Sequence, residues 1–272
     1  MKQCIVAIPI YKESPRDLEV CSFKQVIKIL RQHDIAIFTY KDLNINIYID
    51  IANEANKTIN IFYFNKAYFT NGINGYNELL LSNAFYSKFT DYIYMLIYQL
   101  DAWVFRDELS YWCSMNYDYI GAPWFKLDSK NKFTTEFDGV GNGGFSLRKI
   151  SYCINLLNTP KHKALINNKN LIRQIQTPLD LIKYIIKLTG IRNNLSFYLK
   201  KGTFEDIIFS KIAQLSKLEP KIPNEKIASQ FAFEVNPSFL YKKNEYSLPF
   251  GCHAYEKYEY ETFWKQHIKT VH

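Results

Sequence analysis

Four short stretches of this chain place reactive side chains where they suit chemistry. In "YIYMLIYQLDAWVF" seven apolar or aromatic residues, Tyr92 to Tyr98, read as a buried strand that Gln99, Leu100 and Asp101 bring to an end. A carboxylate just after a buried strand either caps the next turn or ligates a divalent cation that in turn neutralises phosphates. Gln99 suits a ribose or ligand hydroxyl but is a poor metal ligand. In "GVGNGGFSLR" (139–148) four glycines allow close backbone approach to a ligand, or simply a tight loop. Asn142 within it suits a hydroxyl-rich substrate. The spacing is neither GxGxxG between strand and helix nor a P-loop. In "GTFEDIIFS" (202–210) Glu205 and Asp206 open an expected helix, where the dipole alone favours acids; the functional alternative is a general base taking a proton from an attacking hydroxyl. In "LPFGCHAYEKY" (248–258) His253 lies in an expected turn, as a structural residue, a metal ligand or a phosphate contact. GxSxG and HExxH are absent from the sequence.

Positioning these groups requires a sheet. "CIVAIPIY" (4–11), "IAIFTY" (35–40), "INIFYFN" (59–65) and the strand ending at Gln99 alternate with helical patterns at 14–32 and 74–89. In the first helix Ser14 is a candidate N-cap, with Pro15 at the first position. This is the β-α-β order of a doubly wound, mostly parallel sheet flanked by helices, and one domain over 1–272 is the economical reading. "DYIGAPWF" (118–125) reads as a short strand into a turn. The polar stretch from Lys126 to "GNGG" reads as a loop before a short strand, "GFSLR". Helices are expected at "ISYCINLLN", "PLDLIKYIIKLTG" and "EDIIFSKIAQL" (205–215), then strand-like and turn-like pieces to the end.

Composition narrows the partners. The net charge is +8, with 21 Tyr and 20 Phe. A basic chain suits an anionic partner. The charge concentrates in 161–201, where nine Lys or Arg face the single acid Asp180. No zinc-finger spacing or RNA-stacking signature accompanies it, so nucleic acid is not expected as a partner. The basic, amphipathic segment 160–202 reads as a helical insertion suited to an anionic membrane surface or a pyrophosphate-linked ligand. Five scattered cysteines without CxxC read as reduced thiols of a cytoplasmic protein. The N-terminal apolar run is too short for a signal peptide.

The order of these stretches is more telling than any one of them. A strand ending in "QLD", then "GNGGFSLR", "ED" at a helix start and a late "GCH" resembles the GT-A class of nucleotide-sugar glycosyltransferases. More narrowly, "LIYQLDAWVFRDEL", "YDYIGAPW", "GNGGFSLRK" and "LPFGCHA" look like a bacterial family, known as a domain of unknown function, that occurs among surface-polysaccharide glycosyltransferases. The resemblance implies a single GT-A-like domain that moves a sugar from a nucleoside-diphosphate sugar to a glycan or lipid-linked glycan hydroxyl, with inversion expected from the acidic pair. It implies donor binding by Pro9, Tyr11, Glu13, Gln99 and Asp101. Trp124, Asn142, Gly143 and Gly144 would lie by sugar and acceptor, with Trp103 a further stacking candidate. Asp206 would be the base, with Glu205 beside it. Asp101 and His253 would hold Mn2+ or Mg2+. One departure stands out: Gln99 replaces the first Asp of the DxD-type motif, which weakens the expected cation site and leaves a non-catalytic carbohydrate- or nucleotide-binding module as the alternative. The implied location is the cytoplasm, with peripheral contact to the inner membrane.

Overall fold

The computed structural model describes residues 1–159, 165–166, 171–173 and 175–268. Parts of the expected 160–202 insertion, including His162, lie outside the described residues, as does His272. Eleven strands are described: β1 (Lys2–Pro9), β2 (Asp34–Thr39), β3 (Ile59–Tyr63), β4 (Tyr92–Tyr98), β5 (Trp103–Val104), β6 (Tyr119–Ile120), β7 (Pro123–Leu127), β8 (Phe133–Val140), β9 (Phe145–Lys149), β10 (Ala232–Phe233) and β11 (Gly251–Cys252). The central sheet runs β3-β2-β1-β4-β9-β6. Its first four strands are parallel, and β9 runs against both its neighbours.

The continuous apolar runs of β1 and β4 follow from burial on both faces. Side chains alternate between faces, so Cys4, Val6 and Ile8 of β1 join Leu96 and Tyr98 of β4 in one core with Phe23 and Val26 of the helix Asp17–Ile29 and Leu30 at its C-cap. Ile5 and Ala7 join Met95 and Ile97 in a second core with Leu79, Leu80 and Phe85. Register is set at the centre, where Cys4 lies opposite Tyr94 and Ala7 opposite Ile97. After β1 the chain builds β2 and β3 on one side, then returns to lay β4 on the other. The carboxyl ends of β1 and β4 therefore flank the point where strand order reverses, the place where open α/β sheets leave a crevice.

A second, three-stranded sheet, β10-β11-β5, covers that end. β5 begins just after Asp101, and Cys252 of β11 pairs with Trp103 and with Phe233. The residues that follow β10 and β11, Glu234 and His253, are thereby delivered beside the end of β4. Trp103, Phe233, Cys252, Tyr255, Phe263 and Trp264 form the core of this sheet.

Several local expectations are corrected. The first helix starts at Asp17, with Arg16 rather than Ser14 at its N-cap, because Glu19 Oε2 accepts the Arg16 N–H at 2.8 Å. The helix expected over 74–89 breaks after Leu80, where Ser82 Oγ caps a new turn by accepting from Phe85 N at 3.2 Å. The stretch read as a polar loop is the hairpin β7–β8. Asp128 Oδ1 accepts from Lys130 N and Lys132 N to close its turn, and Phe125 packs on Phe137 with ring centroids 5.1 Å apart. Alternating Phe133 and Phe137 carried that signal, masked by intervening polar residues. The helix expected over 205–215 is α-helical at Glu205–Ile207, runs as a π turn over Ile208–Ile212 and closes with an α turn at 213–214.

Candidate active site

Two charged corners meet at the crevice. In the first, the backbone turns after β4, with Ala102 N donating to Gln99 O at 2.9 Å, and Asp101 stands at the turn. His253 is held by its own N–H donating to Phe233 O at 3.0 Å. Its ring donates from Nδ1 to Glu234 Oε1 at 3.1 Å, while Nε2 lies 3.2 Å from both Asp101 Oδ1 and Gln99 Oε1. Burial disfavours charge on the ring, but the Asp101 and Glu234 carboxylates outweigh it and lift its pKa to about 10. Burial likewise raises the Asp101 carboxyl, yet His253 holds it below its ordinary value. Gly144 makes this corner possible, because a Cβ there would sit 2.0 Å from His253 Nε2. The antiparallel direction of β9 brings Gly144 to the end of β4, where its carbonyl accepts from Gln99 N at 2.8 Å.

The second corner is built on Arg148, a fully buried side chain on β9. Its guanidinium pairs with Glu205, Nη1 lying 2.8 Å from Oε2 and Nη2 donating to Oε1 at 2.9 Å, and it donates further to Gly143 O (3.1 Å), to Tyr86 Oη (3.1 Å) and to Ser146 Oγ (3.0 Å). The rings of Tyr119 and Phe209 lie over it at 5.4 and 5.7 Å. Glu205 is fixed further by its N–H, which donates to Asn77 Oδ1 at 2.6 Å, and by Gly143, where a Cβ would meet Oε1 at 2.3 Å. Glu205 is therefore a clamped counter-ion. Asp206, the next residue, has no ion-pair partner among the described residues. Burial first, and the Glu205 charge second, push its carboxyl up to about 7, against the Ile207 N–H that donates to it at 2.8 Å. Asp206 is thereby tuned to exchange a proton near neutrality.

Two hollows adjoin these corners. Pro9, Tyr11 and Gln99, with Tyr68, Phe69, Gly72, Ile73 and Tyr76, line a cavity of about 280 Å3 at the ends of β1 and β4. Beyond Glu234 lies an open groove of about 620 Å3, walled by Trp124, Phe133, Ile207, Val235 and Tyr258 with Asp138 and Lys211 paired at 2.7 Å. A larger hollow, about 750 Å3, lies behind Asn77 and contains none of the charged groups described above.

The structure thus gathers Gln99, Asp101, Gly144 and His253 at one corner and Gly143, Glu205 and Asp206 at the other. Pro9 and Tyr11 line the smaller cavity with Gln99, and Trp124 lines the groove. Three expected residues are placed otherwise. Glu13 is exposed and accepts from Asn44 N at 3.3 Å, outside the cavity lining. Asn142 is buried, and its Oδ1 accepts from Gly144 N and Phe145 N, so the side chain shapes the loop. Trp103 is buried edge-on against Tyr255, because it belongs to the core of the small sheet. Glu234 and Arg148 were missed. Arg148 left a signal in "GFSLRK", since a cation inside a strand core demands a buried partner. Glu234, one acid after "FAF", left none.

A divalent cation can be tested against these atoms. Octahedral ligands at 2.0–2.1 Å from a metal are about 3 Å apart, and Asp101 Oδ1 lies 3.2 Å from His253 Nε2. Glu234 on Nδ1 fixes the ring as histidine ligands are commonly fixed, leaving Nε2 for the metal. Among the described residues no group of three or more His, Cys, Asp or Glu is arranged as a metal site. The fit is therefore to two protein ligands, Asp101 and His253, with Gln99 beside them.

Similarity to solved structures is low at the level of sequence. Core-mannan synthase A from Aspergillus fumigatus in its Mn/GDP form is 10% identical, with 76% of this chain and 71% of that one covered and a TM-score of 0.41. Mouse xyloside xylosyltransferase 1 in its apo form is 9% identical, with 93% and 97% covered and a TM-score of 0.46. The galactosyltransferase LgtC in complex with donor and acceptor sugar analogs is 10% identical, with 92% and 86% covered and a TM-score of 0.44. No residue's role is carried across at these values. No curated protein matches the chain. A family model does match, over residues 58–253, from before β4 to His253 itself. The chain belongs to the family described as protein of unknown function DUF5672.

Proposed function

We propose that this protein is a glycosyltransferase that uses a nucleoside-diphosphate sugar. The observation that carries the reading is the pairing, at one sheet end, of a carboxylate–histidine corner with a separate carboxylate tuned to about 7. The aromatic cavity at the ends of β1 and β4 has the size and position for a nucleotide base and ribose. Asp101 and Glu234 put two negative charges around the single charge of His253. A diphosphate placed there needs additional positive charge. A divalent cation, Mn2+ or Mg2+, held by Asp101 and His253 would supply it and stabilise the departing diphosphate. Arg16 and Lys257 are the cations whose fields reach Asp101 from the protein itself. Asp206 takes the proton from the acceptor hydroxyl, whose oxygen attacks the anomeric carbon opposite the leaving group, so configuration inverts. The groove beside Trp124 suits the acceptor, because sugar rings stack on exposed aromatic faces. A glycan or lipid-linked glycan acceptor, and a role in bacterial surface-polysaccharide synthesis, rest on the resemblance carried by the sequence motifs.

The test is thermal stability with a panel of nucleotide sugars, each with and without Mn2+. A true donor at a hundred times its Kd adds about 2.7 kcal/mol, and Asp101→Ala should abolish the Mn2+-dependent part. No shift with any donor would overturn the reading. Gln99 in the place of an aspartate favours a second reading, a binding module without turnover. In that case Asp206→Asn would keep ligand affinity and there would be no product to lose.

A further inference from the structure

The helix Pro178–Leu188 is turned inside out. Thr177 Oγ1 accepts from Asp180 N at 3.2 Å and Asp180 Oδ2 accepts from Thr177 N at 3.1 Å, a capping box that makes it a defined element. At 100° per residue, Leu179, Ile182, Ile185 and Ile186 share one face, with Lys183, Lys187 and Asp180 along the side that adjoins it. The polar side lines a small crevice with Leu171. The apolar side is in the open: Leu179 is 67% exposed, Ile182 and Ile185 are each 56% exposed, and no residue of the helix is buried. An apolar patch this concentrated marks a surface that something covers.

Charge identifies what covers it. The helix itself carries Lys183 and Lys187, Arg173, Arg192, Lys200 and Lys201 flank it in the sequence, and the single acid of that stretch, Asp180, already accepts from Lys183 at 3.0 Å. Two copies meeting through this face would bring like charges together. An anionic bilayer satisfies both features, with acyl chains for the isoleucines and headgroup phosphates for the basic rim. Lys183, though paired with Asp180, leaves 66% of its side chain exposed, and a long stem of this kind can carry its charge to that level. We propose that this helix docks the protein onto an anionic lipid surface, lying in the headgroup plane. No described helix is long and apolar enough to cross a membrane, so the contact is peripheral. It does not depend on the transferase reading, and its test needs no sugar nucleotide.

The whole chain is sedimented with vesicles of phosphatidylcholine alone and with a third of phosphatidylglycerol. Binding to the anionic vesicles should be about tenfold or more the stronger and should fall with added salt. Ile182→Glu with Ile185→Glu should reduce it about tenfold or more at unchanged Tm. Lys183→Gln with Lys187→Gln, which leaves the apolar face intact, should also weaken it by about tenfold. No sedimentation with either vesicle, or equal binding to both, overturns the proposal. So does a dimer in light scattering that the isoleucine variant dissociates, which would assign the face to a second copy.

Discussion

The two corners of the site solve the same problem with different cations. Each places carboxylates in a partly dry environment. Arg148 neutralises Glu205 from a fully buried position and carries its charge at every accessible pH. His253 stands between Asp101 and Glu234, and it is a cation only while it holds its second proton. The arginine corner is a permanent fixture. The histidine corner is exchangeable, because the proton on Nε2 can be replaced by a metal ion. Glu205 and Asp206 sharpen the contrast at the scale of one residue: the first is clamped by both terminal nitrogens of Arg148 and, through its own N–H, by Asn77, while the second is left to titrate.

The largest effect should come from Asp206→Asn, which removes the proton acceptor tuned to about 7. Transfer should fall by about 10²–10⁴-fold with donor affinity kept, read as initial rate against a donor-binding isotherm. Equal loss of affinity would mean that Asp206 binds rather than abstracts. Next is Arg148→Met, which strands Glu205 as an uncompensated buried charge at a cost of about 3–5 kcal/mol. Denaturant unfolding measures it, and adding Glu205→Leu should recover most of the loss; no recovery would break the idea that the pair acts as a unit. Gly144→Ala should separate Asp101 from His253 and cost about 1–3 kcal/mol, with Mn2+ binding by calorimetry lost to a greater extent than Tm falls.

The same carboxylate also sets a pH dependence. Folded Asp206 keeps its proton up to about 7, while an unfolded Asp releases it near 3.9. The folded state therefore binds the extra proton between those values. That contribution to stability is complete below the unfolded value and is lost as pH rises through 7. Asp206→Asn should flatten this decline, so that variant and wild type differ most in Tm above pH 7. The wild-type transfer rate should rise through the same pH 7 midpoint as the base ionises.

The frame and half of each corner were legible in the residues. β1 and β4 announced themselves as continuous apolar runs because both of their faces are buried, and Asp101 and His253 stood out as polar residues at the ends of such runs or turns. Asp206 was legible only as one of two acids; nothing local tells which of Glu205 and Asp206 will meet Arg148, since that depends on β9 lying antiparallel beside β4. Glu234 was invisible because its partner is reached through a two-residue strand pairing. The β7–β8 hairpin was hidden by polar residues between its phenylalanines, and of Asn142 the sequence did not show that Oδ1 would be taken by its own loop while Nδ2 stays buried without a hydrogen-bond partner among the described residues.

The small sheet has one more consequence. Its strands are two residues long and join segments far apart in the chain, so few hydrogen bonds hold it and it should open before the central sheet does. Cys252 is fully buried in that sheet, directly beside His253, whereas Cys4 belongs to the central one. Thiol labelling should therefore reach Cys252 through a local opening with the main fold intact, and a ligand at the histidine corner should slow it. A single cysteine becomes a clock for how often the site comes apart.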